Sequence, residues 1–450
     1  MKHEKTFLST VCHLAVPVAL QSMLQSSFSM VDQIMIGQLG SVQVAGVGLA
    51  GKFSSIYSVL ISAVGAVAGI MIAQYLGQKN QAQVRRSFSL NLFLALGVAA
   101  FFTVLSAVFP KEIMSLYIND PSVVSASAGY LRILSGTFLP MAGATMLSAM
   151  FRCMELAQFP LYASIASAIL NTILNYIFIF GKAGCPSMGA EGAALATLLS
   201  QFANLGIMLL LFRKYTGSIS KSKNEAAVAP KVDWKQYFHI LLPILVCELA
   251  WSLGENIYAI IYGHLGTDAS AAMTLTNPIQ GLMIGALCGL SQAASVIIGK
   301  KLGSHSYEEA YQDSKKLLLY GLVGSLLLSC LLLLISPLYV QIYQVEASVK
   351  AMTRQILFAY ALVAPFKVLN MILGGGILRS GGKTTYVMVI DILGTWCFGV
   401  PLGLLAAFVL KLTIPYVYFL LSLEECIRFA ISLVVLRRKK WMQSLNAEAL

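Results

Sequence analysis

The five residues GQLGS, Gly37 to Ser41, return as GHLGT, Gly263 to Thr267, at an offset of 226. The same offset holds outward on both sides without a gap. Pro17 returns as Pro243, Ala45 as Ala271, Leu49 as Leu275, and Leu76-Gly77 as Leu302-Gly303. Matched Leu or Ala residues mean little in so apolar a chain. A matched Pro and three matched Gly mean more: proline interrupts a helical hydrogen bond, and glycine reaches backbone angles that other residues avoid. Further along, Phe151-Arg152 matches Leu378-Arg379 at an offset of 227. The chain is predicted to be two copies of one unit.

Composition says what solvent the copies face. Of 450 residues, 58% are hydrophobic and only 11% charged. A soluble protein carries about 25% charged residues, so most of this surface is expected to face lipid. Twelve apolar stretches are long enough to span a bilayer, which needs about 20 residues. They lie near 12–36, 46–74, 88–109, 124–150, 160–181, 190–213, 236–262, 271–299, 314–336, 349–377, 385–409 and 413–436. The expected fold is an all-α polytopic membrane protein of twelve transmembrane helices in two pseudo-symmetric six-helix bundles. The division is an N-terminal bundle over 1–214, a polar linker over 215–235 and a C-terminal bundle over 236–450. With six spans each, the copies share one orientation, and their pseudo-twofold axis runs along the membrane normal.

The net charge of +12 does not imply a nucleic-acid partner, because the basic residues form short clusters between apolar stretches. Alternate loops hold 22 Lys and Arg, and the opposite loops and nearby helix ends hold six. By the positive-inside rule both termini and the linker are cytoplasmic. The first span is expected to direct insertion without a removable signal peptide. The eight cysteines include no C-x-x-C pair and read as small buried hydrophobes without metal or disulfide.

An ionisable side chain at membrane depth costs about 2.5–3.5 kcal/mol on insertion scales, so each one is a functional candidate. Asp32, in QSMLQSSFSMVDQIMIGQLG, has no basic partner within a turn or two of its own helix. Such a carboxylate can take a proton or Na⁺; the alternative is a solvated helix end. Gln25 lies two turns earlier on the same face, where it lines the same cavity or packs helices together. Asn171 and Asn175, in LNTILNYIFIFG, share one face by i, i+4 spacing. Two carboxamide oxygens and a carboxylate suit a small hard cation; the alternative is an Asn pair bonded to a neighbouring helix. Thr197, in GAALATLLSQ, can add a hydroxyl.

In the second copy Tyr258 occupies the repeat position of Asp32. Glu248 and Glu255 lie seven residues apart on roughly one face, with Asn256 adjacent. These four residues are candidates for a substrate cavity, Glu255 as a second protonatable group or a contact for cationic substrate. Lys367 and Asp391 are read as neutralising each other, and Glu424 and Arg428, at i, i+4, as a structural pair. Gly65-x-x-x-Gly69 reads as close helix packing.

The ordered motifs carry a resemblance over nearly the whole chain. Pro17 is followed by MVDQIMIGQLG, then AQYLGQKNQAQVRRS, FRCMELAQFP, LNTILNYIFIFG and GAEGAALAT. The second copy adds GHLGTDASAA, IGKKLGSHSYEEA and ILRSGGKTT. Together they resemble the multidrug and toxic compound extrusion (MATE) family. The resemblance implies a V-shaped pair of bundles and antiport of drugs, often cationic, against Na⁺ or H⁺. It also implies that Asp32, Gln25, Asn171, Asn175 and Thr197 take the family's first-lobe positions. The chain departs from DinF-like members in having Asn175 where they have an acid. It departs from NorM-like members in having Trp251 and Val368 where they have acids.

The expected function is therefore cation-coupled export of small organic, cationic or amphipathic compounds by alternating access, in a monomer embedded in cell-membrane lipid. No cofactor is expected beyond the coupling Na⁺ or H⁺. The alternative is a flippase for lipid-linked saccharides, which needs a large cationic cavity. An enzyme is disfavoured: there is no H-E-x-x-H, no aspartate pair at protease spacing and no nucleophile with a base.

Overall fold

The computed structural model describes residues 2–216, 234–343 and 345–445, and every regular element in it is helical. The first copy contains α1 (Lys2–Gly37), α2 (Ser41–Gly77), α3 (Gln81–Val108) and the short α4 (Pro110–Ser115). α5 (Pro121–Leu134) continues through a 3₁₀ turn into α6 (Phe138–Cys153), and α7 (Gln158–Phe180) and α8 (Gly189–Thr216) follow. The second copy contains α9 (Trp234–His264), α10 (Thr267–Gly303), α11 (Tyr307–Gln341) and α12 (Ala347–Asn370). α12 runs on through π turns over Met371–Leu378. α13 (Thr384–Ile392) and α14 (Val400–Leu404) form one rod with π turns between and after them, and α15 (Ile414–Ser422) and α16 (Glu424–Arg437) end the chain's helices.

Eleven stretches are long and apolar enough to cross a membrane, with mean hydropathy from 1.4 to 2.5. The twelfth expected span, 413–436, is present as α15 and α16, which break at Leu423 and are each too short alone. Large apolar side chains stand open along the helices: Phe93 is 74% exposed and Leu334 75%. Such a surface is stable against lipid and not against water. The expected linker falls mostly on residues 217–233, outside the described residues.

The repeat glycines do matching work in the two copies. Gly40 ends the α1–α2 turn at φ +92°, and Gly266 ends the α9–α10 turn at φ +114°. Both angles are strained for a residue with a Cβ. A Cβ on Gly77 would collide with the carbonyl of Lys300, and one on Gly303 with the carbonyl of Gln74. Since 77 and 303, and 74 and 300, are each 226 apart, these are one contact seen twice, and it needs glycine on both sides.

The chain forms two compact units. One comprises Leu20–Ile72 and Gln81–Lys231; the other comprises Met1–Ala19, Ala73–Asn80 and Val232–Leu450. These limits differ from the sequence boundaries at 214 and 236, because the start of α1 and the end of α2 pack with second-copy helices. Gly289 lies against the Ala15 carbonyl. Gln74 Nε2 donates to Ser380 O at 2.6 Å, and its Oε1 accepts from Leu445 N at 2.7 Å. The segment after α16 closes this corner with Trp441, which is fully buried. In the first unit, Phe151, Phe159, Ala163 and Met208 form a core beside the polar face of α7. In the second, Tyr258, Ile261, Tyr360, Val417 and Leu421 belong to a larger core.

Candidate functional site

The first unit carries a connected polar chain across α1, α7 and α8. Asn175 Nδ2 donates to Asp32 Oδ1 at 2.7 Å and to Asn171 Oδ1 at 3.1 Å. Asn171 Nδ2 donates to Thr197 Oγ1 at 3.4 Å, and the Thr197 hydroxyl donates to Ala193 O at 3.0 Å. Both asparagines are buried, Asn175 almost completely. The i, i+4 spacing on α7 stacks the two amides, and α8 supplies the hydroxyl behind them. Among the described residues no Lys, Arg or His pairs with Asp32. Tyr130 of α5 stands near enough to feel the Asp32 charge, a neighbour that nothing in the local sequence signalled.

One atom in this chain lacks a partner: Asn175 Oδ1 is buried and accepts no hydrogen bond. A buried acceptor left unmade costs about 1–3 kcal/mol. The set Asp32, Asn171, Asn175 and Thr197 therefore offers a carboxylate, two carboxamide oxygens (one of them idle) and a hydroxyl. All are hard oxygen donors, which fits Na⁺ or a similar small cation. As arranged, however, the NH₂ of Asn175 sits between the two acceptor oxygens, where such an ion would go.

The remaining first-copy candidate, Gln25, is exposed and takes no part in this chain. Gln21, one turn earlier, binds α7 instead, with Nε2 donating to Ser164 Oγ at 2.9 Å.

The second-copy candidates lie in a charged network. Glu248 accepts from Arg379 NH1 at 3.2 Å. Tyr258, buried, donates to Glu424 Oε2 at 2.7 Å. Asn256 turns back to Ser252 O at 2.7 Å and is exposed, so it joins no site. Glu255 is exposed and lines a narrow cleft with Tyr258, Tyr262, Tyr360, Tyr418 and Lys367.

Two expected pairings are corrected. Lys367 does not neutralise Asp391, because Asp391 forms a short ion pair with Arg428. Arg428 does not pair with Glu424 but with Asp391 and, at 3.6 Å, with Glu425. The acid three residues before Arg428 pairs with it and the acid four before does not, because Glu424 is held by Tyr258. Cys247 is also more than a small hydrophobe: it lies 2.6 Å from Asp391 Oδ2 and accepts from Arg379 NH2 at 3.2 Å. Arg379, whose sequence role was to set orientation, and Glu425 are thus parts of the network that sequence reading missed.

These residues border a cavity of about 400 Å³ in the second unit. Its charged lining is Glu248, Lys367, Arg379, Asp391, Glu425 and Arg428, with Trp251 and Met371 among the apolar walls. The π turns after α12 put Met371, Gly374 and Gly375 along one side.

The sequence and the fold have known relatives. The MatE family model matches twice, at residues 17–177 and 243–405, and the two matches begin 226 residues apart. A "Probable multidrug resistance protein NorM" of Thermotoga maritima is 24% identical over 87% of this chain and 83% of its own length. A solved Vibrio cholerae MATE transporter, VcmN in its bent form, superposes with TM-score 0.85 at 16% identity, covering 98% of each chain. A Pyrococcus furiosus structure described by the reversed polarity of its binding pocket superposes at TM-score 0.83 and 17% identity, over 96% of this chain and 95% of its own. The chain belongs to the MatE family: it is a multi-pass membrane transporter of the multidrug-efflux type and not an enzyme.

Proposed function

We propose that the protein is a cation-coupled antiporter that exports small organic compounds by alternating access, with both termini cytoplasmic. The coupling ion, Na⁺ or H⁺, acts at Asp32. The observation that supports this reading is the idle Oδ1 of Asn175 beside a carboxylate without a basic partner.

The mechanism follows from hydrogen-bond polarity. With Asp32 ionised, the Asn175 amide must present its N–H groups to the carboxylate. A protonated Asp32 gains an O–H donor, which the idle oxygen of Asn175 can accept once the amide turns. A Na⁺ between Asp32 and Asn171 likewise repels the NH₂ and requires an oxygen. Either cation favours turning the Asn175 amide over, which brings its idle oxygen into use. The flip breaks the donation to Asn171 Oδ1 within α7 and replaces the N–H bond from α7 to Asp32 of α1 by a contact through the amide oxygen. An ion can shift an equilibrium between inward- and outward-facing states only by binding them unequally, and this rearrangement supplies a difference.

The exported compounds are small and drug-like, in keeping with the names of the relatives. Asp32→Asn in sealed vesicles tests the coupling. Gradient-driven efflux of a cationic dye should fall to the background rate while membrane insertion stays intact. Wild-type efflux rates from the variant would sink the proposal.

A further inference from the structure

We propose that residues 438–445, after α16, form a latch: they fasten the end of α2 to the second copy and release it when the transporter opens on that side. The latch rests on the antiport reading, since alternating access requires one bundle to rock against the other. α2 belongs to the first copy, but its last turns pack with second-copy helices. Rocking that opens this side parts them.

The segment is rooted in the second copy. The chain turns at Lys439, φ +57°, and Lys439 Nζ pairs with Glu308 at the start of α11 at 2.8 Å. Trp441 is fully buried, and its Nε1 donates to Leu436 O at 3.2 Å. Its carbonyl lies against Gly381, where a Cβ would collide with it, and Leu445 packs on Gly382.

The ties to α2 are two glutamine amides. Gln74 Nε2 donates to Gln443 O at 3.3 Å, and Gln74 Oε1 accepts from Leu445 N at 2.7 Å. One turn on, Gln78 Nε2 donates to Leu445 O at 2.8 Å and to Ser444 Oγ at 3.1 Å.

The repeat shows that this corner is built for the segment. Gly382 has φ +74°, and Glu155, its match at an offset of 227, makes the same turn at φ +64°. The turn itself therefore does not demand glycine. Gly381 and Gly382, which replace Met154 and Glu155, make room for Trp441 and Leu445 instead. At an offset of 226, Gln74 and Gln78 correspond to Lys300 and Ser304, which have no such amides. Trp441 corresponds to Tyr215, which is 46% exposed and stacks on Phe159. One of two related corners is fastened.

The fastening is also of a kind that lets go. Each amide bond to the segment is exchanged for a bond to water when the corner opens, so its net worth is small. The buried tryptophan and the ion pair stay with the second copy throughout. Release therefore breaks the bonds of Gln74 and Gln78 without unfolding the segment.

Two experiments test this. In the first, purified Gln78→Cys/Ser444→Cys protein is bridged by a reductant-cleavable bis-methanethiosulfonate, checked by intact mass and reconstituted in vesicles. Gradient-driven dye efflux should fall at least tenfold and return on reduction, while each single variant treated alike keeps its untreated rate. In the second, Ser380→Cys, buried in this corner, is labelled with N-ethylmaleimide and followed by peptide mass. Adding Gln78→Ala should speed that labelling at least threefold.

Bridged protein that exports at its reduced rate would overturn the latch, as would a labelling rate unchanged by Gln78→Ala. Wild-type protein without efflux under either gradient would overturn the antiport reading alone, and the labelling comparison would still decide whether the segment holds the corner shut.

Discussion

The two copies answer one problem, charge inside a membrane, in opposite ways. In the first, a single carboxylate at Asp32 is held by a carboxamide and has no ionic partner. In the second, Glu248, Asp391 and Glu425 are each tied to an arginine. A carboxylate held by an amide can gain or lose a cation without leaving another charge stranded. A carboxylate in an ion pair cannot, since neutralising it strands its arginine. On the proposed function, the duplicated scaffold keeps its geometry while dividing labour: exchangeable charge at Asp32 in one half, and arginine-paired carboxylates at Glu248, Asp391 and Glu425 in the other. Gly40 and Gly266, with their matching positive φ, show how closely the scaffold is kept.

The fixed charges should matter most for stability. Arg428→Met leaves Asp391 and Glu425 without their cation, and breaking a buried pair on one side costs about 3–5 kcal/mol. Asp32→Asn, which strands nothing, should cost far less. Thermal unfolding in detergent measures both, and equal losses would erase the contrast between the halves.

A second test acts on coupling. Asn175→Ala removes the amide that turns between the two ion states. The cation concentration for half-maximal efflux should rise about tenfold, equivalent to ~1.4 kcal/mol. An unchanged cation dependence would place coupling elsewhere than on α7.

A third, smaller effect probes the repeat position itself. Tyr258→Phe takes the hydroxyl donor from Glu424 and should cost about 1 kcal/mol of stability. Its cation dependence should match wild type, because Tyr258 stands where Asp32 stands but holds a structural bond. A shifted cation dependence would give the second copy a share in coupling.

Much of the first-copy site was legible because it is written locally. Asn171 and Asn175 share a helix face by spacing alone, and Asp32 announces itself as a charge in an apolar run. Thr197 is legible only as a hydroxyl in an apolar span that can join them, and the resemblance assigns it the same place. The second-copy network was not legible in this way. Arg379 and Glu248 are 131 residues apart, and Arg428 and Asp391 are 37 apart on different helices. Helical periodicity says nothing about which face of one helix meets another. The i, i+4 rule suggested Glu424 for Arg428, and tertiary partners overrode it. The fold was more open to reading: the offset of 226 appears in the sequence, in the paired glycine contacts and in the two family matches. The break of the last span at Leu423 was hidden, since apolar composition runs on through it.

The central claim is that exchangeable charge resides at Asp32 and nowhere in the second copy. The direct measurement is dye efflux from vesicles under a Na⁺ gradient and, separately, a pH gradient, in wild type, Asp32→Asn and Glu255→Gln. The account predicts that one gradient drives wild type and Glu255→Gln alike, and that neither drives Asp32→Asn. Gradient-driven efflux in Asp32→Asn that disappears only with Glu255→Gln would contradict it.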